Sequence, residues 1–192
     1  MKKGIIYISV ILLLAIVTSG ATYAYLTAVT NSGTNTVSTS GAKIEVVYSG
    51  GTAIEGPISM SLDKSGGLNT TVNIRITENS VAAKANLFIN VNQITSSLAT
   101  DALIWEVYKT VDGVESFVGS GTFLDCKATD GVKQCASGDK LYIVNDYLLS
   151  TTDTAFTVYI WLNGDKAGND VLGATFKGTI GAESEEFTGI LE

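Results

Sequence analysis

Val72-Asn73-Ile74-Arg75-Ile76-Thr77 alternates apolar and polar side chains one by one. This period of two belongs to a half-buried β-strand, in which successive side chains point to opposite faces of a sheet. The pattern recurs outward in both directions. Upstream, Ile44, Val46 and Tyr48 alternate with Lys43 and Glu45; downstream, Leu87, Ile89 and Val91 alternate with Asn86, Asn90 and Asn92. Further strands are expected over Ile104–Thr110, Ser116–Leu124, Leu141–Val144, Phe156–Leu162 and Ala174–Gly181, all rich in β-branched or aromatic residues and separated by Gly, Asn, Asp or Ser clusters. Asp112-Gly113 lies between two of these runs, and this dipeptide suits a type I′ turn, whose central residues both need φ > 0. A helix is conceivable only over Thr95–Ala102, and for two turns at most. The 23 threonines favour strands, and the single proline, Pro57, leaves the ladders intact. The expected fold is all-β, an antiparallel β-sandwich spanning residues 36–192.

The N-terminus breaks this pattern. Lys2 and Lys3 precede the apolar run Ile5–Val17, interrupted only by Ser9, after which come Thr18, Ser19, Gly20, Ala21 and Thr22. A basic start, a short apolar core and a small-residue exit are the three parts of a secretory signal peptide, expected here over residues 1–24. Thr22 and Ala24 put small residues three before and one before a cut between Ala24 and Tyr25; Ser19-Gly20-Ala21 offers a second site. The run of 13 residues is short of the roughly 20 needed to span a bilayer. The alternative is a retained anchor helix from Gly4 to about Tyr25, whose functional form would be a type IV pilin. Gly4 after Lys2-Lys3 suits a prepilin peptidase, but Ser9 stands where the bacterial type has glutamate.

Charge and composition narrow the chemistry. The 192 residues contain no histidine, which removes Ser-His-Asp and Cys-His triads and imidazole zinc sites. The net charge is −7; without residues 1–24 the remaining 10 basic and 19 acidic groups give −9. Such a chain repels nucleic-acid backbones and anionic lipid heads, so neither nucleic acid nor, once the leader is removed, membrane is expected as a partner. Cys126 and Cys135 enclose eight residues, a spacing that fits neither a C-x-x-C redox pair nor a four-ligand zinc site. In an exported chain the pair reads as a disulfide, the other possibility being two buried free thiols.

Several short motifs resemble the TasA and camelysin-like family of secreted biofilm-matrix proteins. These are Ala21-Thr22-Tyr23-Ala24-Tyr25-Leu26-Thr27, the polar stretch Asn31–Asn35, and Gly41-Ala42-Lys43-Ile44-Glu45-Val46. Also similar are Val72–Asn79, Phe156-Thr157-Val158-Tyr159-Ile160-Trp161-Leu162-Asn163-Gly164 and Phe176–Ile180. The resemblance implies a jelly-roll subunit of an extracellular matrix fibre with itself as partner, and other matrix components as further candidate partners. The chain departs from the family in its cysteine pair and in lacking the long insertions of TasA. Some family members have been called metalloproteases, an activity that a chain without histidine or a metal-peptidase motif does not support.

A route to a fibre also follows from the residues. Signal removal would free Tyr25, Leu26, Thr27, Ala28 and Val29 as a β-prone donor strand, followed by the polar hinge Asn31–Asn35. Such a strand can add to the sheet edge of a neighbour, or pair within its own sheet by the same contacts.

Other candidate chemistry is sparse. Asn163–Asp170 places oxygen ligands at some alternate positions, but Ala167 stands at a ligand position and no glutamate closes the loop, so turn chemistry is the reading preferred to a calcium site. Asn69-Thr70-Thr71 is a glycosylation sequon. Phe88, Tyr159 and Trp161 fall on the strand face opposite the core series and are expected beneath a second sheet, or else form an exposed binding patch. No catalytic residue, metal or cofactor is assigned, and no carboxylate pair shares a strand face as a glycosidase would need. The functional expectation is a structural fibre subunit; an adhesin or carbohydrate-binding module and a pilin-like protein are the alternatives.

Overall fold

A computed structural model describes residues 27–29, 33–39, 42–78, 80, 82–126, 134–171, 173–183 and 188–190. The described residues form thirteen strands: β1 (Thr27–Val29), β2 (Gly33–Thr39), β3 (Ala42–Gly50), β4 (Ile54–Pro57), β5 (Met60–Ser61), β6 (Leu68–Ile76), β7 (Lys84–Ile94), β8 (Leu103–Val111), β9 (Val114–Thr122), β10 (Lys140–Leu148), β11 (Thr154–Asn163), β12 (Thr175–Glu183) and β13 (Thr188–Ile190). There is no α-helix among them. The stretch expected to make at most two helical turns makes a single 3₁₀ turn, Ser96–Leu98, which sinks Leu98 into the core.

The strands form two sheets. Sheet I runs β1-β13-β12-β7-β10, with β4 also paired to β12; sheet II runs β2-β3-β6-β11-β8-β9, with β5 paired to the end of β11. Pairing is antiparallel except for β1 with β13 and β5 with β11. From β6 to β12 the chain changes sheet at each step, with the β8–β9 hairpin counting as one step, and β13 then folds back beside β12 in sheet I.

Alternation explains the packing. Val72, Ile74 and Ile76 of β6 and Phe156, Val158 and Ile160 of β11 face inward from sheet II, and Leu87, Ile89 and Val91 of β7 meet them from sheet I. Each such burial contributes about 1.5–3 kcal/mol before chain entropy is counted. Tyr48 crosses the interior to donate a 2.8 Å hydrogen bond to the Ile180 carbonyl, so one phenol ties the two sheets together. Burial pushes that phenol's pKa well above the ordinary tyrosine range.

Local turn chemistry agrees with the sequence. Asp112 and Gly113 have φ of 50° and 79°, and they pair Val111 with Val114 at the head of the β8–β9 ladder. The Cys126–Cys135 disulfide is present, its two sulfurs buried and its Cα atoms 5.1 Å apart.

Candidate assembly edge

The edge of sheet I is built from the two ends of the described chain. Thr27, Ala28 and Val29 pair in parallel with Thr188, Gly189 and Ile190. Those residues in turn pair antiparallel with Glu183, Ala182 and Gly181 of β12. The other half of the same β12 edge, Thr175–Gly178, is covered by β4. Three register pairs join β1 to β13 and three join β13 to β12, fewer per ladder than the eleven-residue β7 makes with either neighbour at the centre of the sheet. Of the residues expected to matter here, Ala24, Tyr25 and Leu26 lie outside the described residues, whereas Thr27, Ala28 and Val29 are β1.

The neighbouring strand sits in the other sheet. Of the polar stretch expected as a hinge, Gly33, Thr34 and Asn35 pair with Tyr48, Val47 and Val46 of β3 as part of β2. This ladder continues to Thr39 opposite Ala42, leaving only two residues in the connection, so β2 and β3 form one hairpin. Only residues 30–32 separate β1 in sheet I from β2 in sheet II.

A polar cluster fixes the inner end of this edge. Glu183, which pairs with Thr188 on one side and Asn86 on the other, accepts hydrogen bonds from Lys140 and from the Tyr142 hydroxyl. Desolvation first, then the hydrogen bond to the Glu183 carboxylate and its charge, pushes the Tyr142 phenol up to about 12. The Lys140 ammonium also lies 4.4 Å from the centre of the Phe88 ring. Phe88 is fully buried although it projects from the outer face of sheet I: it lies across Gly181, where any Cβ would stand 2.4 Å from its ring. Sequence reasoning missed this arrangement because the glycine that makes room for the ring is on another strand.

The three aromatic residues singled out from the sequence therefore do not form one patch. Phe88 is on the outer face of sheet I, while Tyr159 and Trp161 are on the outer face of sheet II. Trp161 is buried beneath the segment carrying Gly67, which closes on it at the end of β11, and Tyr159 is partly exposed. Local cover, and not the second sheet, accounts for the burial of Phe88 and Trp161.

The remaining candidates behave as structural elements. Asn163 Oδ1 accepts from the Asp165 amide at 2.9 Å, and the Asn163 carbonyl accepts from Lys166 and Ala167, so these oxygens serve the loop's own turn. Among the described residues no three acidic or cysteine side chains gather as a metal site. Asn69 of the sequon lies within β6 opposite Tyr159, and buried Thr70 accepts a hydrogen bond from the Thr52 amide. Comparison with protein-family models, with curated proteins and with solved structures finds no match.

Proposed function

We propose that the chain is a secreted structural subunit of an extracellular matrix fibre, joined to its neighbours by exchange of the N-terminal strand. One observation carries the reading: the outermost strand of sheet I is a short N-terminal segment held by three register pairs to the C-terminal strand. A strand placed so can leave its own sheet and make the same ladder on the next molecule, because self-pairing and exchange use the same contacts. The donor is Tyr25–Val29, freed by cleavage between Ala24 and Tyr25 of a signal peptide spanning residues 1–24. The sandwich is of jelly-roll type, a reading supported by the passage of the chain from sheet to sheet at each step between β6 and β12.

The test is deletion of Tyr25–Thr30 from the exported protein, with filament formation followed by negative-stain microscopy. The truncated chain stays folded and monomeric, and a synthetic Tyr25–Thr30 peptide blocks polymerisation of the intact protein. Fibres of unchanged repeat from the truncated chain would overturn the proposal. Intact mass separates the rival reading: a product beginning at Tyr25 fits a secreted subunit, and one beginning at Ile5 fits a pilin.

A further inference from the structure

A second cluster, independent of the assembly edge, occupies the outer face of sheet II. Tyr108 of β8 is paired with Phe117 of β9, their rings 5.6 Å apart and edge-on. On its other side Tyr159 of β11 stands perpendicular to Tyr108, 5.8 Å away. Three rings thus form a row across three adjacent strands, and Phe117 at its end is 57% exposed. Glu106 Oε2 accepts a 2.8 Å hydrogen bond from the Tyr108 hydroxyl.

The row already holds a cation. The Lys64 ammonium lies 3.2 Å from the centre of the Tyr108 ring, 4.9 Å from that of Tyr159 and 3.4 Å from Glu115 Oε2. Two tyrosine rings with two carboxylates beside them are the surroundings that attract an ammonium group, electrostatically through the rings and by charge through the acids. Partial desolvation pulls the Lys64 pKa down, but the hydrogen bond to Glu115 and the charges of Tyr108, Glu115 and Tyr159 outweigh it and leave it raised. Lys64 is carried by a 3₁₀ turn, Lys64–Gly66, that buries none of its residues, and Leu62 just before it is 81% exposed. The Lys64 side chain is 30% exposed, and it is this side chain, not the turn that carries it, that would leave the cage.

We propose that this face binds a glycan bearing free amino groups, a sugar ammonium replacing that of Lys64 between Tyr108, Tyr159 and Glu115 while Phe117 stacks on a neighbouring pyranose. The chemistry of the occupant follows from the site. The cage selects a cation, and the net charge of −9 that remains without residues 1–24 favours a cationic polymer over an anionic one. A row of rings on an open sheet face, as distinct from a closed pocket, suits repeated units of an extended chain with apolar ring faces.

The full exported chain is titrated with a β-1,4-linked glucosamine hexamer and, in parallel, with the fully N-acetylated hexamer, by calorimetry at low salt. The amino form binds saturably, and the acetylated form, which has lost the cation, binds about tenfold more weakly. Lys64→Ala tightens binding of the amino form, because an internal competitor is gone; a lysine with a purely structural role would give no gain. Tyr108→Ser and Tyr159→Ser each lose binding while circular dichroism shows the fold retained. Should those variants misfold, competition on the unmodified protein gives the answer: tetramethylammonium displaces the hexamer at ionic strengths where sodium does not. The proposal is overturned by absence of saturable binding to both the parent chain and Lys64→Ala, by equal affinity for the two hexamers, or by a Phe117-dependent dimer that forms without glycan and excludes it.

Discussion

The two lateral sides of the sandwich are finished differently. On one side the edge strands are β9 and β10, nine residues each, and both ladders are irregular. The register slips between Val107 and Tyr108 where β8 meets β9, and it slips twice where β10 meets β7, near Asp146 with its φ of 52°. Bulges twist an edge away from foreign strands, so this side is protected against adding another chain. On the other side the edge of sheet I consists of three-residue strands in unbroken register. The contrast separates closure by long, bulged strands from closure by the short strands at the chain's two ends, which the proposed exchange would make provisional.

Changes on the permanent side should cost stability and leave assembly intact, whereas changes at β1 should do the reverse. Phe156, fully buried and edge-on to Tyr147 of β10 at 5.0 Å, tests the first half most strongly. Phe156→Ala should destabilise by about 3–5 kcal/mol and lower Tm by about 10 °C in a thermal melt, with fibres still forming below the new Tm. Deleting β1 removes only three register pairs and should cost no more than about 1–2 kcal/mol while abolishing fibres. A deletion as destabilising as Phe156→Ala would break the contrast. The Cys126–Cys135 disulfide, in the connection from β9 to β10, comes next. Replacing both cysteines by serine should remove about 2–3 kcal/mol, read from urea unfolding, without altering the filament repeat.

Smaller effects sharpen the contrast. Gly113 has φ of 79° with open space around its Cβ position, so Gly113→Ala suffers from backbone strain alone. The expected loss is about 1 kcal/mol by denaturant midpoint. The smallest effect concerns pH at the assembly edge. The folded-state pKa of Tyr142 is raised above its ordinary value of 10 to about 12, so its contribution is complete below pH 10 and disappears as pH rises through 12. Ionisation would then place a phenolate against Glu183, and Tm measured over this interval should fall less for Tyr142→Phe than for the parent chain.

Strand positions were legible where alternation is regular. Val72, Ile74 and Ile76, like Leu87, Ile89 and Val91, are all buried as their period requires, because the core face is set one residue at a time; Phe88, out of phase between Leu87 and Ile89, is buried by local cover instead. β10 was legible only as Leu141–Val144; the bulges that carry it to Leu148 disrupt the alternation by which its second half would have been read. β4 and β5 escaped because four and two residues, one of them Pro57, are too short to display a period. Cys126 and Cys135 could be paired from spacing since both lie in one short segment. The cage around Lys64 could not, as it joins residues from a loop and three strands, with Lys64 and Glu115 51 positions apart. The partner of β1 was equally hidden, lying more than 150 residues away.

If subunits join by the proposed strand exchange, the pairing of Thr27–Val29 with Thr188–Ile190 has a consequence for growth kinetics. Donor and acceptor are different surfaces of one chain, so a polymer joined through them is head-to-tail and carries a vacant acceptor at one tip and an unused strand at the other. Each filament, whatever its length, then has a single tip that a free donor peptide can occupy. Inhibitor concentration should therefore scale with the number of filament ends and not with the number of subunits, and a peptide far below subunit concentration should arrest elongation from one pole only.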